Sequence, residues 1–161
     1  MKALLVLCLI SFSFVSLAER NITLFVDLTP AGSFQAVSKK AKGNIFKQGN
    51  GFISEQISVN IESFKTGIDL RDEHTWKHMN YKKHPKAILT NVKAQGGKGT
   101  ATLELNGKKQ PINIVYKVVG QDIKAQFAVK ASSFGLPKAE YLGVGVNDVI
   151  KVRATLPYRA K

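Results

Sequence analysis

The chain has 161 residues, with 24 Lys and Arg against 11 Asp and Glu, so its formal net charge is +13 at pH 7. This charge favours anionic partners such as phospholipid head groups, outer-membrane polysaccharide or an acidic ligand. The lysines stand in ones and twos, without basic runs interleaved with aromatic residues, so we expect no nucleic acid among the partners.

The first residues, MKALLVLCLISFSFVSLAER, have the pattern of a secretory signal. Lys2 supplies a positive charge, residues 3–17 form an apolar run, and Ala18 ends a group of small residues that suits a signal peptidase. No later segment approaches the ~20 apolar residues of a membrane-spanning helix. We therefore expect residues 1–18 to be removed and residues 19–161 to form one exported domain, periplasmic or secreted. The only cysteine, Cys8, leaves with the signal, which excludes disulfides and thiolate sites.

From Asn21 onward the apolar residues alternate with polar ones, which is the period of half-buried β-strands. The segments with this pattern are NITLFVDLT, QISVNIESF, GTATLELNG, QPINIVYKVVG, DIKAQFAVKAS and DVIKVRATLP. Asn106 and Gly107 predict a tight hairpin, because both accept the positive φ of a type I′ turn. Seven or eight antiparallel strands must cover their apolar face, either against a second sheet or by closing into a barrel that can hold one small ligand.

One segment, LRDEHTWKHM, departs from the period of two and predicts a short helix. We expect Asp69 to cap its N-terminus and Pro85 to prevent it from extending past about residue 84. His74 and His78 are four residues apart and would share one helix face, as zinc ligands often do. Their surroundings lack the glutamate that serves as base in zinc proteases. The favoured interpretation is therefore a polar helix surface, with metal binding kept as an alternative.

Catalytic motifs are weak in this sequence. No serine stands in a G-x-S-x-G elbow, and GVGVND leads into a strand and not into a helix that could bind phosphate. Arg71 stands between acidic residues, which indicates ion pairs that fix the helix, or else an anion contact at the mouth of a pocket. The many phenylalanines, with Trp76 and Met79, favour an apolar ligand over a reaction. We expect neither an enzyme nor a cofactor.

The order of these motifs resembles the YceI-like family over nearly the whole mature chain. The segment ISVNIESFKTGIDLRDEH is similar to the family's strand, its TG turn and the RDxH start of its helix, here Thr66, Gly67, Arg71, Asp72 and His74. The segments YKKHPKAILTNVK, GTATLELNGKKQPINIVYKV, VKASSFGLP and VNDVIKVRATL resemble the family's later strands and turns. The resemblance implies an extended eight-stranded antiparallel lipocalin-like barrel with one short helix. It further implies a polyisoprenoid or other long-chain lipid as ligand, and a homodimer as a candidate state.

The leading hypothesis is a periplasmic or secreted protein that sequesters or carries this lipid inside the barrel and meets an anionic membrane surface. The residues expected to enclose the apolar tail are Ile57, Val59, Ile61, Trp76, Met79, Leu103, Leu105, Ile112, Ile114, Phe127 and Val129. The residues expected to make polar contacts are Arg71, Asp72 and His74. Two alternatives stay open: a secreted metal-dependent enzyme or metal-binding protein built on His74 and His78, and a cationic surface-binding protein with a solid core.

Overall fold

The computed structural model describes residues 19–160, and β-strands dominate this part of the chain. The predicted signal, residues 1–18, lies outside the described residues. The strands are β1 (Asn21–Thr29), β2 (Ser33–Ser38), β3 (Lys42–Gly43), β4 (Ile45–Gln48), β5 (Gly51–Asn60), β6 (Lys86–Gln95), β7 (Lys98–Leu105), β8 (Lys108–Val119), β9 (Asp122–Lys130), β10 (Glu140–Tyr141), β11 (Val144–Val146) and β12 (Val149–Ala160). Helix α1 spans Asp69–His78, and two 3-10 turns span Ile61–Ser63 and Ala131–Phe134. Within residues 19–160 no helix has the length and apolar character to cross a membrane.

Seven strands close into a barrel in the order β4, β5, β6, β7, β8, β9 and β12, and β12 returns to β4. All neighbours in this ring are antiparallel except β12 and β4, which are parallel. The rest of the same edge of β12 pairs with β1, and β1 in turn pairs with β2. The predicted antiparallel barrel with one short helix is therefore confirmed, and closure through β9 and β12 excludes the two-sheet alternative.

The strand count differs from the predicted eight, because short strands interrupt the region between β2 and β5. Gly43 ends β3 with a φ of +120°, and Asn44 separates it from β4. A Cβ atom at this position would lie 2.3 Å from the backbone oxygen of Gln56, so the two strands approach too closely for a side chain. The break leaves two short strands, of which only β4 pairs with β12, so the closed ring has seven strands.

The predicted hairpin at Asn106 and Gly107 connects β7 to β8, and both residues have positive φ, at 51° and 71°. The Asn106 side chain also donates to the backbone oxygen of Phe134 at 3.0 Å and accepts from the Asn80 amide at 2.9 Å. This turn therefore joins the segment after α1 to the second 3-10 turn at the same end of the barrel.

The opposite end of the barrel is filled by aromatic side chains. Phe52 is buried and packs edge-on against Tyr116 and Tyr158, with ring centroids 5.7 Å and 5.0 Å apart. Beside this aromatic plug, Ile112 and Ile123 are almost fully buried in the same core. Burial of each such side chain contributes about 1.5–3 kcal/mol. The barrel is thus solid at this end, and α1 lies at the other.

Helix α1 begins differently from the prediction. Ile68 is the N-cap residue and offers no side-chain hydrogen bond, so the expectation that Asp69 caps the helix is wrong. Asp72, one turn into the helix, instead accepts hydrogen bonds from the Thr66 backbone N–H at 2.6 Å and from its hydroxyl at 2.7 Å. A carboxylate in the first turn reaches the preceding loop while it faces the positive end of the helix dipole. The helix ends at His78, and Asn80 follows with a φ of 56°.

Candidate functional site

A cavity of about 320 Å³ lies between α1 and the inner faces of the strands. It is lined by Ile22, Leu24, Val26, Phe34, Ile57, Ser58, Val59, Ile61, Phe64, Arg71, His74, Thr75, His78, Met79, Ala87, Leu89, Leu103, Leu105, Phe127, Val129, Ala131, Leu136, Ala139, Val146, Ile150, Val152, Ala154 and Leu156. All but five of these residues are apolar, so the wall offers almost no hydrogen-bond partner to a bound molecule. Such a site selects a hydrocarbon.

The structure brings most of the predicted tail-contact residues to this cavity. Those that line it are Ile57, Val59, Ile61, Met79, Leu103, Leu105, Phe127 and Val129. Ile112 and Ile114 face the interior too, but they lie toward the aromatic plug and do not line the cavity. The alternation along β8 gives the inward face correctly, but it does not give the depth of each residue along the barrel.

Trp76 does not line the cavity either, although the sequence predicts that it does. Its indole N–H donates to the backbone oxygen of Phe64 at 2.8 Å, and the Lys65 ammonium lies 4.3 Å from the ring centroid. The Tyr81 ring also packs against the indole at a tilt, with ring centroids 6.2 Å apart. Trp76 therefore fastens α1 to the barrel wall.

The polar residues of the cavity lie almost entirely on one face of α1. Arg71, His74, Thr75 and His78 are spaced by three and four residues, which places them one above the other along a helix. The Arg71 guanidinium lies 5.0 Å from the centre of the Phe34 ring, a distance at which a cation is attracted to the aromatic face. The cavity thus has an apolar interior and a polar side formed by the helix.

Asp72, predicted as a polar contact, does not line the cavity. Its side chain is only 2% exposed, and besides Thr66 it contacts the Lys65 ammonium at 3.3 Å. Burial raises the pKa of this carboxyl, but the hydrogen bonds from Thr66 and the contact with Lys65 together lower the pKa below its usual value of 3.8. Within residues 19–160 Arg71 forms no ion pair. The ion pair of Asp72 is formed with Lys65 and not with Arg71. Asp72 is a structural clamp between α1 and the loop before it.

The sequence predicts His78 as part of a polar helix surface, with metal binding as the alternative, and the structure places it on the wall of the cavity. Burial lowers the pKa of its imidazole below the ordinary value of 6.5, because the apolar surroundings disfavour the charged ring. His78 is therefore neutral at pH 7 and can either donate or accept a hydrogen bond. Arg71 remains the permanent cation of the site.

A metal centre finds little support in the part of the chain that the structure describes. Across residues 19–160 no three His, Cys, Asp or Glu side chains come together as metal ligands. His84, the third histidine of the chain, packs against the β7–β8 turn, where a Cβ at Gly107 would lie 2.6 Å from its ring. His74 and His78 are left as neighbours on the cavity side of α1.

A second carboxylate fastens the strands beside the cavity. Asp148, just before β12, accepts hydrogen bonds at 2.7 Å from both the backbone N–H and the hydroxyl of Ser132. These bonds lower the pKa of the Asp148 carboxyl, and the nearby Lys130 adds to the effect. Asp148 therefore holds the second 3-10 turn, which supplies Ala131 to the cavity wall, against the last strand.

Several residues of the wall were not predicted as site residues. Those from β1, β2, β6 and β12 are Ile22, Leu24, Val26, Phe34, Ala87, Leu89, Ile150, Val152, Ala154 and Leu156. The alternation along β1 and β12 already marks the inward face of these two strands, so that signal was available in the sequence. Leu136 and Ala139 lie in an irregular segment and Val146 ends the three-residue strand β11, so no periodicity identifies them.

The sequence matches a model of the YceI-like domain over residues 13–158. No curated protein matches it. The matched range covers the whole barrel, from before β1 to the final strand.

Solved structures with the same architecture come from several bacteria. BcnA of Burkholderia cenocepacia is 16% identical with a TM-score of 0.66, over 85% of this chain and 94% of that chain. A polyisoprenoid binding domain from Saccharophagus degradans, implicated in plant cell wall breakdown, is 16% identical with a TM-score of 0.61, over 88% and 94%. The YCEI protein of Campylobacter jejuni is 20% identical with a TM-score of 0.55, over 77% and 83%. At these identities the likeness shows the fold.

Proposed function

The chain belongs to the YceI-like family, and from this premise we propose that it binds a long-chain apolar lipid of the polyisoprenoid type inside its barrel. The observation that carries the proposal is the cavity beside α1, whose wall is apolar except for five residues. The similar domain from Saccharophagus degradans is a polyisoprenoid binding domain, which supports the choice of lipid class. We propose that the protein sequesters or carries the lipid in the periplasm or outside the cell.

Affinity for the tail comes from removing hydrocarbon from water. Each buried CH₂ group contributes roughly 0.8 kcal/mol, and the apolar wall gives up no hydrogen bonds with water when it is covered. The cavity volume of about 320 Å³ lies at the low end of the range of roughly 300–1,000 Å³ for small-molecule sites. It therefore encloses a segment of a long chain, and the remainder would leave through the side bordered by α1.

The polar side of the cavity would hold the head group. Arg71 supplies a fixed positive charge, and His74, Thr75 and His78 add hydrogen-bonding groups along the same helix face. This combination suits an anionic or hydroxyl head better than a cationic one. Asp72 is excluded from this role because its carboxylate is buried and already bonded to Thr66 and Lys65.

Binding, and not catalysis, is the proposed activity. The only hydroxyls of the cavity lining belong to Ser58 and Thr75, and the lining has no carboxylate that could orient His74 or His78 as a general base toward them. A lipid carrier needs only a cavity that the lipid can enter and leave. One chain supplies this cavity, so the site does not require the homodimer that the resemblance offers as a candidate state.

The proposal is tested by filling the cavity. Leu103→Trp on β7 adds bulk at a buried position of the wall, so we expect loss of most of the binding of a fluorescent long-chain isoprenoid alcohol. The strain should lower stability by about 1–3 kcal/mol. Thr100→Trp is the matched control, because Thr100 lies on the same strand and faces outward. Equal binding by Leu103→Trp and the unaltered protein would contradict a site in the cavity.

A further inference from the structure

The outer face of the barrel carries unpaired cations in one area. We call this area the basic face: it is formed by outward-facing residues of β7, β8, β9 and β12, namely Lys98, Val115, Lys117, Val119, Lys124 and Arg153. The strand register places Lys98 opposite Val115, Val115 opposite Gln126, and Gln126 opposite Arg153. The residues therefore form continuous rows across four neighbouring strands.

Within the basic face two lysines stand directly opposite each other. Lys117 of β8 pairs in register with Lys124 of β9. Directly opposed residues in an antiparallel sheet have Cβ atoms about 4.5–5.5 Å apart, and like charges there are destabilising. The pair therefore leaves two like charges side by side on the outer face of the barrel.

The acidic residues of the protein do not neutralise this area. In the described part of the chain none of Lys98, Lys117, Lys124 and Arg153 forms an ion pair within 4 Å, while all five ion pairs lie elsewhere. Asp122 is the acid nearest in register, opposite Val119, and it forms no such pair either. Arg153 instead lies 4.6 Å from the centre of the Phe25 ring on β1. The basic face therefore keeps a net positive charge that is open to a partner.

Apolar side chains are exposed between these cations. Val115 is 62% exposed and Val119 is 44% exposed, and both point outward from β8. A hydrated polyanion such as a polysaccharide would make no apolar contact with these valines. The interface of a bilayer would, because it offers anionic head groups beside hydrocarbon.

We propose that the basic face docks the protein onto an anionic lipid bilayer. The proposal rests on the proposed function, since a carrier of a membrane lipid has to reach the membrane to load or release it. Lys98, Lys117, Lys124 and Arg153 contact lipid phosphates, and Val115 and Val119 enter the head-group region between them. Most of the basic face lies around the solid end of the barrel, because Tyr116 of the aromatic plug stands between Val115 and Lys117 on β8. Arg153 reaches toward the hollow end, since its neighbours Val152 and Ala154 line the cavity.

The test is co-sedimentation with vesicles of phosphatidylcholine and phosphatidylglycerol at two to one, against vesicles of phosphatidylcholine alone. We expect the mature protein to bind the anionic vesicles, and Lys117→Gln with Lys124→Gln to weaken this binding by about 30-fold. This double variant should fold at least as well as the parent because it removes a like-charge pair. Lys39→Gln with Lys40→Gln is the matched control, with the same loss of charge just after β2, which is not one of the strands of the basic face and is separated from β12 by β1.

Equal weakening by both double variants would overturn the proposal, because binding would then follow net charge alone. Val115→Asn should also weaken vesicle binding. If it has no effect, and dextran sulfate binds as tightly as the vesicles, the face belongs to a polyanion and not to a bilayer. Uptake of isoprenoid in solution separates the two proposals: uptake without vesicle binding contradicts the docking face alone, and vesicle binding without uptake contradicts the proposed function alone.

Discussion

At the scale of single residues, Asp72 decides how α1 is attached. Asp72→Asn replaces a charged acceptor of two Thr66 hydrogen bonds and removes the contact with Lys65. Hydrogen bonds to charged groups contribute about 1.5–3 kcal/mol, so we expect a loss of this order in the free energy of unfolding at pH 7. Urea unfolding followed by tryptophan fluorescence measures it, because Trp76 lies on the same helix.

The pH dependence of stability tests the role of Asp72 in a second way. The folded-state pKa of Asp72 lies below the ordinary 3.8, so its contribution is complete above that value and is lost as the pH falls through the lowered pKa. The unaltered protein should therefore lose stability in acid more steeply than Asp72→Asn. Parallel stability curves for the two proteins between neutral pH and strong acid would show that the clamp does not depend on ionisation.

At the scale of elements, the aromatic plug sets how far a chain can enter the barrel. Phe52→Ala removes the ring that meets Tyr116 and Tyr158, so the cavity should lengthen and favour longer isoprenoid alcohols over shorter ones. Phe134→Ala is the control: Phe134 is 1% exposed and lies in a 3-10 turn, outside the cavity wall and the plug. Both variants should lose about 3–5 kcal/mol of stability. An unchanged preference for chain length in Phe52→Ala would contradict the role of the plug.

The elements also show what the sequence could predict. Alternation identified the inward residues of β5 and β7 correctly, because a strand has two faces and burial selects one. Alternation could not show that Ile112 and Ile114 lie away from the cavity. That position depends on the aromatic plug at one end of the barrel, and Phe52 of the plug lies more than fifty residues earlier in the chain. Helix α1 has few apolar residues, so its inward face could not be assigned, and Trp76 was placed in the cavity wrongly. The partners of Asp72 lie in the loop before α1, where no period points to them.

At the scale of the whole molecule, the barrel is hollow at one end and solid at the other. The solid end and the closed ring of strands supply stability, so the hollow end can keep apolar surface that a folded core would otherwise fill. Helix α1, fixed by Asp72 and Trp76, forms the side of the cavity that carries polar groups. We propose that the hollow end binds the lipid and that the solid end stabilises the fold.

Native mass spectrometry of the protein, purified without detergent, tests whether the hollow end of the barrel holds a lipid. The account predicts a species heavier than the polypeptide by the mass of one lipid, which is lost on unfolding and is absent from Leu103→Trp but present in Thr100→Trp. A protein that carries no lipid, and that takes up none when mixed with long-chain isoprenoid alcohols, would contradict the account.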